Sequence, residues 1–280
     1  MTTIISNPES FEKVRSQIEK EGKNKIHILA DFDRTLTYGQ IAGKKTPSII
    51  SLLRDGNHLT KDYAEKANAL FEKYHPIEID PEISLEEKKE AMVEWWKVHN
   101  ELLIKSGLSR KDLKSIVKSR GVKFREGVLE FLDYLNENSI PLVILSASGA
   151  GDAIPMFFEE VGKNYSNIFY VINEFNWNEN GKAISQKDKV IHAMNKDETI
   201  MKEIPEVYNK IKNRKNVILL GDSLGDIEMI KGFEFDNLIK IGFLNSNIDK
   251  LEKIYKENFD VVLEDDCDFN FVNELIRKVD

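Results

Sequence analysis

The sequence predicts an α/β fold, a mostly parallel sheet with helices on both faces, together with a separate block of helices. After residue 124, apolar runs of strand length alternate with helical segments, which is typical of strands joined by crossover helices. Between residues 60 and 120 the pattern is helical, with no convincing strand. A chain of 280 residues is long enough to bury a large core and to carry an inserted unit.

The first 60 residues are predicted to contain one helix and one strand. Pro8 stands at the first helical position after Asn7, and the helix is predicted to run to about Glu21. The apolar run from Ile26 to Ala30 has the length of one buried strand. Residues 39–57 are polar and rich in turn formers, which predicts a hinge leaving the sheet.

The helical block is predicted to contain three helices. The first covers residues 61–74 and is predicted to break at His75-Pro76. The second begins at Ser84, where Glu87 completes a capping box, and ends near Gly107. Ser109 and Asp112 repeat this start signal for the third helix. Such an insertion between two strands is typical of a lid, so the predicted domains are a core of residues 1–40 and 123–280 and a helical cap of residues 41–122.

The second half is predicted to alternate between helices and strands. The predicted helices cover residues 126–138, 152–161, 187–194, 224–231 and 248–257, with a last helix ending near 279. The predicted strands cover residues 141–145, 168–172, 217–220, 238–241 and 260–263. Residues 175–185, with Asn180-Gly181 at the tip, are predicted to form a β-hairpin.

Two carboxylates, Asp31 and Asp33, directly follow the first buried strand. Because they are two residues apart, both side chains can leave the same face of an extended backbone. The carboxyl ends of parallel strands are where open α/β sheets bind ligands. An isolated pair of this kind is more often a solvated turn or a helix cap. Two further strand-end motifs, residues 145–149 and 220–226, favour a role in phosphoryl transfer.

The downstream motifs supply a third carboxylate and candidate phosphate donors. Asp222, with Asp31 and Asp33, gives a small set of hard oxygen ligands that suits Mg²⁺ and leaves room for water and a phosphate. Asp226 lies four residues later and can support the site from outside the ligand set. The hydroxyl of Ser146 and the adjacent amides can donate to phosphate oxygens, although this segment can also be a plain strand-to-helix turn.

Charge and hydropathy limit the classes of partner. The net charge of −8 argues against binding nucleic-acid polymers or anionic membranes, and requires any anion site to be built locally. No apolar run approaches bilayer length, and the N-terminus lacks the layout of a signal peptide, so we expect a cytoplasmic location. The protein is separately expected to be a monomer. A lysine is expected at a phosphate site, but composition does not choose among the candidates, which are Lys182, Lys187, Lys189 and Lys196.

The motifs resemble those of a known enzyme family. Residues 31–37, 145–148 and 220–226 resemble the successive signatures of the haloacid-dehalogenase-like phosphatases, which have a Rossmann-like core. More narrowly, the chain resembles the cytosolic pyrimidine 5'-nucleotidase family, also called cytosolic 5'-nucleotidase III. The likeness extends through residues 74–81, 92–96, 191–196 and 240–245.

This resemblance implies a role for each residue of the candidate catalytic and phosphate sites. Asp31 would be the nucleophile that becomes an aspartyl-phosphate, and Asp33 the general acid and base. Asp31, Asp222 and the backbone carbonyl of Asp33 would hold Mg²⁺. Ser146, Ala147 and Lys196 would bind the phosphate. The chain departs from the family at Ser148, where glycine is usual.

In this family the cap supplies substrate specificity. Glu78 matches the position that binds the base, although without the resemblance it would be taken for a surface charge at a helix end. His99 stands where a small polar residue is expected in the vertebrate members, which leaves the preferred base open. Trp95 and Trp96 are adjacent on the predicted helix and are expected to point in different directions.

The expected function is the Mg²⁺-dependent hydrolysis of pyrimidine nucleoside 5'-monophosphates, CMP and UMP, to nucleoside and phosphate. The alternatives are a nucleotidase that prefers 7-methylguanosine monophosphate, a phosphatase of small metabolites such as phosphoserine, and a nucleoside phosphotransferase. A binding or scaffolding protein without catalysis is disfavoured, because such a protein has no use for a second carboxylate beside the phosphate.

Overall fold

The computed structural model describes residues 2–41, 43–80, 82–187, 190–192, 194–196, 202, 204–232 and 234–279. The strands in chain order are β1 (Thr3–Ile5), β2 (Ile26–Ala30), β3 (Gln40–Ile41), β4 (Lys44–Lys45), β5 (Leu142–Leu145), β6 (Ile168–Val171), β7 (Glu174–Trp177), β8 (Ala183–Lys187), β9 (Asn216–Gly221), β10 (Asn237–Leu244) and β11 (Val261–Glu264). The helices are α1 (Pro8–Glu21), α2 (Ile49–Asp55), α3 (Tyr63–Ile79), α4 (Leu85–Lys105), α5 (Arg110–Lys118), α6 (Val128–Glu137), α7 (Ala153–Glu160), α8 (Pro205–Ile211), α9 (Ile248–Asn258) and α10 (Asn270–Ile276).

A seven-stranded sheet organises the described residues, in the order β1-β11-β10-β9-β2-β5-β6. All neighbouring pairs are parallel except β1 and β11, so the predicted α/β fold is confirmed. Strand β2 lies between β9 and β5, and Ile28 is in register with Ile218 and Leu142. The carboxyl ends of β2, β5 and β9 therefore meet at one edge of the sheet.

Strand β2 is buried on both faces because its side chains serve two apolar layers. Ile26, Ile28 and Ala30 belong to one buried cluster, and Leu29 belongs to the other. Alternate residues of a strand point to opposite faces, so an unbroken apolar run fits a central parallel strand covered by helices on both sides.

The predicted hinge at residues 39–57 is only partly correct. The segment holds the short hairpin β3–β4, followed by helix α2. Ile49 and Leu53, which lie four residues apart on this helix, are both fully buried. An apolar pair at this spacing places one helix face against the core, and the apolar run at residues 49–53 is the signal for this helix.

The predicted helix break at His75-Pro76 is wrong. Helix α3 continues through Pro76 to Ile79, where the N–H of Asp80 donates to the carbonyl of Pro76. A proline lacks the N–H that would donate to the carbonyl four residues earlier, here that of Glu72, and its ring crowds that carbonyl, so the disturbance falls on the turn before Pro76 and the residues after it can stay helical. The buried side chain of Tyr74 holds this last part of the helix in place.

Other elements differ at their ends or in type. The predicted helix at 187–194 is wrong for the described part of this segment, because Lys187 is the last residue of β8 and residues 190–192 are not helical. Residues 188, 189 and 193 lie outside the described residues. Residues Leu224–Ile230 form a 3₁₀ helix. Helix α8 and strand β1 were not predicted. Within the described residues, every helix is too short or too polar to cross a lipid bilayer.

The inserted helices share the core of the sheet. Leu53 of α2, Leu103 of α4 and Leu113 of α5 belong to the same buried cluster as Phe131 of α6 and Ala153 of α7. Helix α5 packs against α7, which covers the sheet. The division into a core and a cap at residues 40 and 123 stays a prediction.

The buried histidine of β2 generates a prediction about stability at low pH. Burial lowers the pKa of His27 to about 4, although its Nδ1 lies 2.7 Å from the carbonyl oxygen of Arg214. Below the unfolded pKa of about 6.5 the unfolded chain gains a proton that the folded chain does not bind until pH 4. We expect His27 to reduce the free energy of unfolding by about 3 kcal/mol as the pH falls from 6.5 to 4.

Chemical denaturation across this pH range, on the wild type and on His27→Asn, measures the contribution. Asparagine keeps a donor near the Arg214 carbonyl but does not titrate. The variant should lose less stability than the wild type below pH 6.5. Parallel pH profiles would contradict the prediction.

Candidate active site

The three strand-end motifs meet around one cavity of about 200 Å³. Asp31 follows β2, Ser146 follows β5 and Asp222 follows β9, so the parallel register brings them to the same edge. The residues that line the cavity are Asp31, Asp33, Arg34, Ser48, Ser146, Ala147, Ser148, Lys196, Asp222, Ser223, Gly225 and Asp226. A cavity of this size suits a phosphate group.

A tight turn after β2 brings Asp33 to the same cavity as Asp31. The N–H of Asp31 donates to the carbonyl of Leu220, which extends the pairing between β2 and β9 by one residue. Arg34 then adopts a left-handed conformation (φ 61°), and its N–H donates to Oγ1 of Thr37. This reversal redirects the chain, whereas the side chains of both aspartates still line the cavity.

A buried lysine connects two of the carboxylates. Nζ of Lys196 lies 2.6 Å from Oδ1 of Asp31 and 2.8 Å from Oδ1 of Asp226. Lys187 instead pairs with Glu174 at 3.0 Å, and Lys189 lies outside the described residues. The geometry therefore favours Lys196 among the candidate lysines, a choice that the bare sequence could not make.

Asp226 supports the loop that carries Asp222. Its Oδ2 accepts hydrogen bonds from the backbone N–H groups of Asp222 and Ser223 and from the hydroxyl of Ser223. Its Oδ1 accepts from Lys196. Because both oxygens are engaged, Asp226 is suited to hold its neighbours in place.

The acidic groups are close enough to share one cation. Ligand oxygens of Asp31, Asp222 and Asp226 lie within 4.8 Å of one another. Since both oxygens of Asp226 already accept hydrogen bonds, the carboxylates of Asp31 and Asp222 are the better candidates for a shared metal. An all-oxygen set with few protein ligands fits Mg²⁺, which keeps several waters.

Burial shifts the protonation of these groups. It raises the pKa of Asp31 to about 7, against the attraction of Lys196, and Asp226 adds to the rise. Burial, with repulsion from Asp226 and Asp31, also raises the pKa of Asp222 well above its ordinary value. The pKa of Asp33 rises to about 6 through burial, and the nearby charge of Arg34 opposes this rise. A divalent cation would favour the ionised carboxylates.

The turn after β5 presents a hydroxyl that the resemblance does not assign. The N–H of Ser148 donates to Oγ of Ser146 at 3.2 Å, and the carbonyl of Ser148 accepts from Asn173. Oγ of Ser148 is buried and has no hydrogen-bond partner among the described residues. Ser148 and Arg34 both line the cavity. The sequence signal that could have identified them as site residues is their position beside the motif residues, together with their polar side chains.

The two predicted base-binding residues are not among those that line this cavity. Glu78 lies in the last turn of α3, where its Oε2 is 3.1 Å from Nδ1 of His75. His99 is buried in α4, with Nε2 3.0 Å from the hydroxyl of Tyr63. Burial lowers the pKa of His99 to about 4, so its ring is neutral at pH 7. A role for either residue in binding the base stays a prediction.

The tryptophans of α4 bring the helical block against the phosphate motif. The ring planes of Trp95 and Trp96 are nearly parallel, with centroids 6.0 Å apart. Trp95 lies beside Tyr74 of α3, whereas Trp96 reaches the turn after β5, so the two side chains have different neighbours, as expected. Trp96 also stacks on His99 at 5.7 Å. A Cβ placed on Gly149 would lie 2.2 Å from Cζ3 of Trp96, which shows that this ring rests directly on the turn after Ser148.

The chain is similar to known proteins along almost its whole length. Residues 34–280 match the family model described as pyrimidine 5'-nucleotidase (UMPH-1). The 7-methylguanosine phosphate-specific 5'-nucleotidase A of Xenopus laevis is 33% identical over 99% of this chain and 96% of that protein.

Solved structures are similar as well. The crystal structure of cytosolic 5'-nucleotidase IIIB bound to cytidine has a TM-score of 0.88 at 27% identity, and the match covers 99% of this chain and 93% of that one. A phosphoserine phosphatase in a phospho-aspartyl intermediate analogue has a TM-score of 0.51 at 19% identity, over 91% of this chain and 99% of that one. This second match shows the fold alone.

The contact between Trp96 and Gly149 generates a prediction about stability. We expect Gly149→Ala to lower the free energy of unfolding by about 1–3 kcal/mol, because the new methyl group overlaps the indole ring. In a Trp96→Leu background the same substitution should cost much less, because the smaller side chain leaves room. Urea denaturation of the four proteins of this cycle gives the coupling energy, and strictly additive effects would show that the ring does not rest on the glycine.

Proposed function

Because this chain belongs to the pyrimidine 5'-nucleotidase (UMPH-1) family, we propose that it is a Mg²⁺-dependent phosphatase of nucleoside 5'-monophosphates, with CMP and UMP as its substrates. The observation that carries this proposal is the meeting of Asp31, Lys196 and Asp222 in one cavity at the carboxyl edge of the sheet. A nucleophile, a phosphate-binding cation and a metal ligand are the minimum that an aspartyl-phosphate mechanism requires.

The two aspartates that follow β2 divide the chemistry. An oxygen of Asp31 attacks phosphorus, the bond from phosphorus to O5' breaks, and Asp33 gives its proton to the departing O5'. Asp33 then takes a proton from water, whose oxygen attacks phosphorus and frees Asp31 and phosphate. Asp31, Asp222 and the carbonyl of Asp33 would hold Mg²⁺, which offsets the repulsion between carboxylate and phosphate.

Four residues are proposed to bind the phosphate. Lys196 supplies a buried positive charge, and Ser146 and Ala147 supply donors from the turn after β5. Ser148 also lines this cavity, and its buried, unpartnered hydroxyl is proposed as a further donor. These local groups allow a chain with a net charge of −8 to hold an anion.

A second candidate substrate is 7-methylguanosine monophosphate. It is favoured by the row of stacked rings formed by Tyr74, Trp95, Trp96 and His99, because a methylated purine is cationic and is attracted to aromatic faces. The name of the Xenopus laevis relative points the same way. Glu78 is proposed to accept from an exocyclic amino group, which cytosine and 7-methylguanine both carry. A cytoplasmic location is proposed because a similar structure is that of a cytosolic 5'-nucleotidase, and a monomeric state is proposed with it.

A substrate panel with one variant tests the activity. We expect turnover of CMP and UMP, and of 7-methyl-GMP if the second candidate is right, with far slower turnover of GMP and phosphoserine. Asp31→Asn should abolish phosphate release, because an amide oxygen is not a nucleophile, while circular dichroism remains that of the wild type. Equal turnover of all five esters would contradict the proposed specificity, and undiminished activity of Asp31→Asn would remove its role.

The panel also separates hydrolysis from transfer. Added acceptor nucleosides should not yield new monophosphates if water is the acceptor. Their appearance in place of free phosphate would identify a phosphotransferase with the same residues.

Metal binding is tested separately from activity by thermal unfolding. Mg²⁺ should raise the Tm of the wild type by about 5 °C or more at saturation, and a chelator should reverse the rise. Asp222→Asn should remove the response, and its metal-free Tm should be no lower than that of the wild type, because one of the crowded carboxylates is gone.

Asp152→Asn is the matched control for this measurement. Asp152 is, like Asp222, a partly buried carboxylate, and burial raises its pKa to about 6, but it accepts from the N–H of Phe175 and from Nε1 of Trp177 and does not line the cavity. This variant should keep the full response to Mg²⁺. A response that survives in Asp222→Asn would place the metal elsewhere.

A further inference from the structure

We propose that Arg125 is a positioning residue for Asp33, and that it acts by fixing the left-handed peptide of Arg34. The inference rests on the proposed function only in taking Asp33 as the general acid. Arg125 lies just before α6, far from the strand motifs in sequence, and nothing in its local sequence marks it as part of the site.

The guanidinium of Arg125 is buried and uses all of its hydrogen-bond donors. Its side chain is fully buried beside Asp266, and its carbon lies 4.6 Å from the ring centroid of Phe243. An arginine side chain has five N–H groups in a rigid planar fork. The five acceptors are the carbonyls of Thr35, Cys267 and Arg34 and the side-chain oxygens of Asp266 and Asn245, at 2.5–2.9 Å.

Two of these acceptors are the carbonyls that follow Asp33. The carbonyl of Arg34 accepts from Nη2 of Arg125 at 2.5 Å and from Nδ2 of Asn245 at 3.0 Å. The carbonyl of Thr35 accepts from Nε of Arg125 at 2.8 Å. Asn245 bridges the Arg34 carbonyl and the guanidinium of Arg125, because its Oδ1 accepts from Nη2 of Arg125.

The peptide held in this way is strained. Arg34 has φ 61°, a left-handed conformation that costs a residue with a Cβ about 1–2 kcal/mol. Without outside contacts the turn would relax toward a right-handed or extended conformation. Since Asp33 is joined directly to this peptide, relaxation would move both its carboxyl group and its backbone carbonyl.

Arg125 and its partner Asp266 also hold the two chain crossings between the sheet and the helical block, one through the carboxylate of Asp266 and the other through the backbone N–H of Arg125. Asp266 accepts from the N–H groups of Gly39 and Gln40 at 2.6 and 2.7 Å. The N–H of Arg125 donates to the carbonyl of Leu36 at 3.0 Å. One buried cation therefore ties the turn after Asp33 to the two segments that lead into the inserted helices.

The test compares two esters that differ in their need for a general acid. A nucleoside 5'-oxygen must be protonated as it leaves, whereas p-nitrophenolate leaves without a proton. We expect Arg125→Lys to lower kcat/KM for the nucleoside monophosphate at least about tenfold more than for p-nitrophenyl phosphate. Asp33→Asn should show the same leaving-group dependence more strongly and serves as the reference.

Arg214→Lys is the matched control for a structural effect. Arg214 also donates to backbone carbonyls, those of Lys23, Ile26 and Ser139, but at the opposite end of the sheet. Its substitution should lower stability and reduce kcat/KM for both esters by the same factor.

Asn245→Asp keeps the proposal testable if Arg125→Lys does not fold. It retains an acceptor for Arg125 but replaces the donor to the Arg34 carbonyl with a negatively charged oxygen that repels this carbonyl, so it should show the same leaving-group dependence. A double-mutant cycle with Arg34→Gly adds a second readout. Glycine adopts the left-handed conformation without strain, so Arg125→Lys should cost less activity in that background.

Equal losses for both esters in Arg125→Lys and Asn245→Asp would overturn the proposal and leave Arg125 with a structural role only. If the wild type hydrolyses p-nitrophenyl phosphate but no nucleoside monophosphate, the proposed substrate class fails by itself. The leaving-group comparison is then made with phosphoserine, whose alkyl oxygen also needs a proton, so the two failures are distinguishable.

Discussion

The ion pairs between Lys196 and the carboxylates of Asp31 and Asp226 are the interaction on which the site depends. A buried ammonium between two buried carboxylates is stable only because each charge has a partner within 2.6–2.8 Å. Asp226 also fixes the position of Asp222, because its carboxylate accepts a hydrogen bond from the backbone N–H of Asp222. The lysine, the proposed nucleophile and the proposed metal ligand are thus held in one arrangement before any ligand arrives.

Most of the sheet and part of the site could be predicted because their signals are local. The apolar run of β2 ends at Asp31, and the capping box at Ser84 begins α4 as expected. The parallel sheet then follows from alternation, and it brings Asp31 and Asp222 to the same edge. The resemblance selected Lys196, and its ion pair with Asp31 agrees with that choice.

What could not be predicted depends on contacts between distant parts of the chain. The hydrogen-bond partners of Arg125 are at least 90 residues away from it in the sequence. They are Arg34 and Thr35 on one side and Asn245, Asp266 and Cys267 on the other, so no pattern near residue 125 reveals them. Pro76 was taken as a break because the statistical tendency of proline was not weighed against the packing of α3 on α4.

Strand β1 has a consequence for the solubility of shortened forms of the protein. It pairs antiparallel with β11 through Thr3, Ile4 and Ile5 and so covers one edge of the large sheet. Removing these few residues would leave the backbone groups of β11 open to strand addition by another molecule. Loss of residues 3–5 is therefore a route to self-association that would leave the carboxyl edge of the sheet, with its candidate site, unchanged.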